Sequence, residues 1–178
     1  GIWEQSQTKL NISYQIEWVK IEDYDPDEDT VRHEGISKGA TVFARPEGII
    51  SDSEAVYICC TSGGNLRKGQ IFKINTISPE QSSAELWYEV QDNSSLNMPD
   101  NIVIAPWGDL IVCEDNSDRN RLWGLTPNGN PYLIAQNSYS RSEFAGACFS
   151  PIDNTMFVNI QGSGLTLLID GNWNSDVS

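Results

Sequence analysis

The chain has 178 residues, 39% apolar and 20% charged, which is enough for a packed domain and too apolar for a disordered one. A formal net charge of −14 repels a nucleic-acid duplex or an anionic membrane, and no apolar stretch approaches a membrane span. The opening Gly1-Ile2-Trp3-Glu4 has neither an initiator Met nor a signal peptide, so the sequence reads as a truncated or processed chain.

Residues 1–40 read as an N-terminal segment with one short strand, 14–19, and an acidic loop. In that loop Asp23, Asp25, Asp27 and Asp29 alternate with Tyr24, Pro26 and Glu28. It resembles half of a calcium loop but lacks the Gly and the distal Glu, so it is expected to be solvated. His33 is the sole His, set between Arg32 and Glu34, and is expected at the surface. No helical period of useful length is found.

From 41 to 178 the pattern is short alternating runs. Strands are expected at 41–43, 55–60, 70–74, 84–90, 102–105, 110–114, 121–125, 132–135, 145–149, 155–159 and 165–169. Turn residues punctuate them at Ser62-Gly63-Gly64, Trp107-Gly108-Asp109, Pro127-Asn128-Gly129-Asn130 and Ile152-Asp153-Asn154. Cys59, Cys60, Cys113 and Cys148 form no C-x-x-C motif, and each is expected to be a small buried side chain.

Three units repeat. Arg45-Pro46-Glu47-Gly48-Ile49-Ile50 followed by 55–60 resembles Met98-Pro99-Asp100-Asn101-Ile102-Val103 followed by 109–114. Both resemble Glu143-Phe144-Ala145-Gly146-Ala147-Cys148 followed by 155–159. Glu47 to Asp100 is 53 residues (100 − 47) and Asp100 to Gly146 is 46 (146 − 100). Four strands at a period of about 40–50 residues is the signature of propeller blades. The expected class is therefore all-β: about three four-stranded β-propeller units, a partial ring or fragment. The structural alternative is a sandwich of about twelve strands.

The first strand of a blade lines the central channel, and its start carries Glu47, Asp100 and, in the third unit, Glu143. Carboxylates gathered there need protons or cations. Asp100-Asn101 and Glu114-Asp115-Asn116 supply the oxygen donors that calcium takes. The bland alternative is that each acid caps a turn or faces solvent. Pro46 favours extended geometry at Arg45, which would put Arg45 and Glu47 on one face. An Arg beside an acid-held cation suits a phosphoryl group.

The ordered set Arg45-Pro46-Glu47-Gly48, Pro99-Asp100-Asn101, Pro106-Trp107-Gly108-Asp109-Leu110, Cys113-Glu114-Asp115, Glu143-Phe144-Ala145-Gly146 and Phe157-Val158-Asn159-Ile160-Gln161 resembles the PhoX-type bacterial alkaline phosphatases. The resemblance runs from about Thr41 to Trp173 and fits the C-terminal part of that family. It implies a propeller with a buried cluster of iron and calcium that hydrolyses phosphate monoesters, extracellular or periplasmic. It implies a catalytic Arg45 contacting phosphate, and Glu47, Asp100, Asn101, Glu114 and Glu143 as metal ligands. It also implies that small phosphorylated substrates are the partners and that an N-terminal half of the parent chain completes the centre. The chain alone is then expected to be inactive. Two other readings remain at this level: a calcium-dependent lactonase-like propeller, and a non-catalytic β-propeller binding module.

Overall fold

The computed structural model describes residues 8–171, apart from 79, 93 and 94, together with residue 173. Among these residues twelve strands run in chain order. They are β1 (Ser13–Ile16), β2 (Pro46–Ser51), β3 (Ala55–Cys60), β4 (Gln70–Ser78), β5 (Gln81–Glu89), β6 (Pro99–Ile104), β7 (Leu110–Glu114), β8 (Arg121–Leu125), β9 (Pro131–Gln136), β10 (Phe144–Phe149), β11 (Met156–Ile160) and β12 (Leu165–Ile169). They form three antiparallel sheets ordered β1-β5-β4-β3-β2, β6-β7-β8-β9 and β10-β11-β12. These are three consecutive propeller-type blades, not the two layers of a sandwich.

Each blade is a meander, because its strands alternate or are wholly apolar and are joined by short turns. The middle blade is covered on both sides, so β7 is buried at every position. Leu110 and Val112 face the first blade, in a core with Cys59, Ile71, Leu96 and Trp123. Ile111 and Cys113 face the third, in a core with Phe144, Met156, Val158 and Ile160. The period of two thus sends alternate residues of one strand into different cores.

The blades differ in strand number. The first gains β1 as a fifth strand, through the pairs Ser13↔Glu85 to Ile16↔Ser82. The third has three among the described residues. The N-terminal segment therefore lies against the first blade, where Phe43 meets Phe72 edge-on at 5.2 Å and Trp18 donates to Ser82 Oγ at 2.9 Å.

Several local expectations differ from the structure. A helix, α1 (Val31–Ser37), stands where no helical period was legible, since seven residues make only two turns. Its Glu34 carboxylate accepts the Glu22 and Asp23 N–H groups, which fastens the helix to the acidic loop. Residues 41–43 are not a strand, and β2 instead begins at Pro46. The first strand stops at Ile16, short of 19. Cys59, Cys60 and Cys113 are buried as expected, but Cys148 is exposed, because it follows a register shift in β10. His33 is exposed.

Candidate active site at the hub of the blades

The inner strands β2, β6 and β10 lie side by side. Each carries a β-bulge near its start. Glu47 and Gly48 oppose the single residue Cys59, since Pro46 pairs with Cys60 and Ile49 with Ile58. Asp100 and Asn101 oppose Cys113 in the same way. In β10 the bulge comes one residue later, at Gly146 and Ala147. A bulge bends its strand and re-aims a side chain, a device common beside active sites.

A recurring backbone bond fixes which residues are equivalent. The Thr61 N–H donates to the Arg45 carbonyl (3.0 Å), Asp115 N–H to Met98 (2.9 Å) and Gln161 N–H to Glu143 (3.1 Å). Arg45, Met98 and Glu143 therefore hold one position in successive blades, and Thr61, Asp115 and Gln161 another. The third-blade counterpart of Glu47 and Asp100 is thus Ala145, with Glu143 two residues earlier in the place of Arg45.

The Arg45 backbone is not extended. It sits at φ +52°, and Met98 repeats this at φ +51°, each just before a proline. A non-glycine residue pays for that left-handed turn with about 1–2 kcal/mol, and the bonds from Thr61 and Asp115 offset it. The turn swings the Arg45 side chain across to the second blade. Its Nη2 donates to Asp115 Oδ2 at 2.7 Å and its Nε to Glu47 Oε1 at 3.4 Å. All three side chains are roughly 40% exposed, at 42%, 36% and 43%.

Two further acids share this field. Burial raises the Asp100 carboxyl, the charges of Glu47 and Asp115 add to the rise, and Arg45 opposes it. Glu143 is pushed up to about 7, first by burial, then by its hydrogen bond with Asp115 and the charges of Asp115 and Asp100. Such a crowd holds a proton because like charges at close range cannot all ionise. Asn101 completes the second bulge. Its Cα would lie 3.2 Å from a Cβ placed on Gly48, and the Asp100 carbonyl oxygen only 2.3 Å, so the first two blades meet here only because residue 48 is glycine.

Of the residues singled out in the sequence, the structure gathers Arg45, Glu47, Asp100 and Glu143 in one electrostatic neighbourhood and sets Asn101 beside them. Glu114 lies elsewhere. It is fully buried and bonded to Arg121, to the Trp123 indole N–H and to the Asn97 N–H, each at 2.9 Å. Its neighbour Asp115 takes the hub position. Adjacent strand residues point to opposite faces, and Arg121 and Trp123 on the next strand were the signal that Glu114 turns inward.

The hub's donors are carboxylate and amide oxygens, which suit a hard cation such as calcium. Among the described residues no three His, Cys, Asp or Glu side chains are gathered closely enough to hold a metal ion. Arg45 stands where Asp115 and Glu47 would otherwise need a cation. The described residues at the hub offer neither the nitrogen of a His nor an ionised thiol. Burial raises Cys59 well above the ordinary thiol range and pushes Cys113 up to about 12.

Three propeller-type blades thus bring the starts of their inner strands, with one arginine and several carboxylates, to a common hub. The sequence profile of the family described as Alkaline phosphatase PhoX matches residues 5–164 of the 178. The chain belongs to the PhoX alkaline phosphatase family. No curated protein and no solved structure matches the chain. No described helix is long and apolar enough to cross a membrane.

Proposed function

We propose that this chain supplies part of the active centre of a metal-dependent phosphatase, secreted or periplasmic, that hydrolyses phosphate monoesters. The observation that carries the reading is the half-exposed Arg45 guanidinium, held by Asp115 and Glu47 in the same electrostatic neighbourhood as Asp100 and Glu143.

Arg45 has five N–H donors in a planar fork, so it can keep Asp115 while presenting other donors to two phosphoryl oxygens. Held in advance, it stabilises the charge that grows on those oxygens as the ester bond breaks. Asp100 and Glu143, with Glu47 and Asn101 beside them, are the oxygen donors that this chain would contribute to a calcium ion, whose remaining ligands would have to come from outside the described residues. Glu143 would give up its proton on loading, since ligation requires the ionised carboxylate. Bound cations would supply polarisation of the phosphoryl oxygens and charge relief on the leaving oxygen. Iron is proposed from the family resemblance alone, and the hub residues of this chain give it no distinctive ligand.

The test is phosphate release from 4-nitrophenyl phosphate at alkaline pH, by the natural polypeptide that carries these residues. Elemental analysis for calcium and iron runs alongside. Arg45→Ala is expected to lower kcat/KM by about a hundredfold or more. Normal turnover in that variant would overturn the role given to Arg45, and a metal-free, fully active protein would overturn the metal dependence.

A further inference from the structure

Glu114 presents a physical puzzle. It is 0% exposed, and its partner Arg121 is nearly buried, with 16% of its side chain exposed. A buried ion pair is seldom the most stable filling for a core position, because desolvation offsets the Coulomb gain. The fold itself shows that no charge is needed there. The equivalent positions in the first and third blades, at the ends of β3 and β11, hold Cys60 and Ile160, both buried and apolar.

The bonds of Glu114 show what the charge does. Oε1 accepts the backbone N–H of Asn97 and the Trp123 indole N–H, each at 2.9 Å. Oε2 accepts the Arg121 backbone N–H (3.0 Å) and Nε (2.9 Å). Arg121 lies over the Trp123 ring at 4.8 Å, and its Nη2 reaches on to the Ser95 carbonyl (2.9 Å). Segment 95–98 is thus tied to β8 through one carboxylate. That segment leads straight into Met98, whose carbonyl receives the Asp115 N–H, and then into Pro99 and Asp100.

We infer that Glu114 is a positioning residue: its buried bonds to Asn97, Arg121 and Trp123 lock segment 95–98 and so set Asp100 and Asp115, and through Asp115 the Arg45 fork, in their places at the hub. The catalytic half of this inference rests on the phosphatase reading above. The placement half does not.

The placement is read by amide hydrogen exchange on this chain with Glu114→Gln, which keeps the shape and removes the charge. Exchange at the Asn97, Asp115 and Arg121 amides is expected to quicken by about tenfold, with the β2–β3 and β10–β11 ladders unchanged. An equal rise in every blade, or no rise at these three amides, overturns the inference. If Glu114→Gln does not fold, Arg121→Lys is read at the same amides. It keeps a charge opposite Glu114 but cannot hold both Glu114 and Ser95 with a planar fork.

The catalytic half is read in the natural polypeptide as the inhibition constant of inorganic phosphate, and as kcat/KM for 4-nitrophenyl phosphate. Both are expected to worsen about tenfold in whichever variant folds. Met156→Ala, a buried truncation at the far end of the third blade, serves as the control that loses stability without losing phosphate affinity. Local loosening with unchanged phosphate handling overturns Glu114 as a positioning residue. Local loosening in a protein whose wild type hydrolyses no phosphate ester leaves the placement standing and overturns the phosphatase reading.

Discussion

Arg45 and Asp115, seventy positions apart, meet at 2.7 Å across the first and second blades. Their backbones occupy different rungs of the repeat. Arg45 stands just before an inner strand and Asp115 just after the strand that follows one. The pair is therefore a tie between blades as well as a means of orienting the guanidinium.

Asp115→Asn keeps the shape and removes the charge. The two side chains are 42% and 36% exposed, so solvent screening limits the pair to about 1 kcal/mol. The expected result is a rise of about fivefold in KM and in the phosphate inhibition constant, with a smaller change in kcat. Steady-state kinetics on the natural polypeptide checks it. Equal losses in kcat and kcat/KM would place Asp115 in the chemical step instead.

Glu143 makes stability depend on pH. Its folded value, about 7, is raised above the ordinary 4.5. Its contribution is complete below 4.5 and disappears as pH rises through about 7, because ionisation adds charge to a crowded, partly buried cluster. The cation-free chain is therefore expected to melt at a lower temperature at about pH 8 than at about pH 5. Glu143→Gln should flatten that dependence in thermal scans at a series of pH values. A melting temperature that rises over the same window in the native chain and is unaffected by Glu143→Gln would refute the assignment.

Gly48→Ala should separate the first two blades at the hub. The new Cβ would meet the Asp100 carbonyl oxygen at 2.3 Å, with the Ile102 nitrogen and Asn101 Cα also too close, and all three are backbone atoms that cannot swing aside. A loss of about 1–3 kcal/mol is expected, as for other overpacked sites. Urea unfolding checks the stability, and the phosphate inhibition constant checks the displacement of Asp100.

Thiol chemistry should single out one residue. Cys148 is exposed, whereas Cys59, Cys60 and Cys113 are buried and burial pushes Cys60 and Cys113 up to about 12. Alkylation of the native chain near neutral pH is expected to give one adduct, at Cys148, by mass spectrometry. Denaturant should expose the other three.

Blade architecture was legible in the sequence because turn residues and apolar runs recur at a blade's spacing. Strands such as 55–60, 110–114, 121–125 and 165–169 carry their own alternation or apolar continuity, and the structure has strands there. What escaped depends on geometry that no period carries. The left-handed backbone at Arg45 contradicts the usual preference before proline, and only the bond from Thr61 explains it. Helix α1 is too short to show a stripe and relies on the Glu34 side chain. At the hub, residue types pointed to Arg45, Glu47, Asp100 and Glu143. The choice between Glu114 and Asp115 depended on where β7 ends: Glu114 is its last residue and is buried, Asp115 lies just beyond it, and the adjacent pair of acids does not reveal that without Arg121 and Trp123 on the next strand.

The backbone bond shared by Thr61, Asp115 and Gln161 has a consequence for how such a centre can change. The three rungs are interchangeable as scaffolding, yet one bears a hydroxyl, one a carboxylate and one an amide. Asp115 shows that an ionic side chain can be placed at the hub on this frame while the backbone bond that its counterparts make is kept.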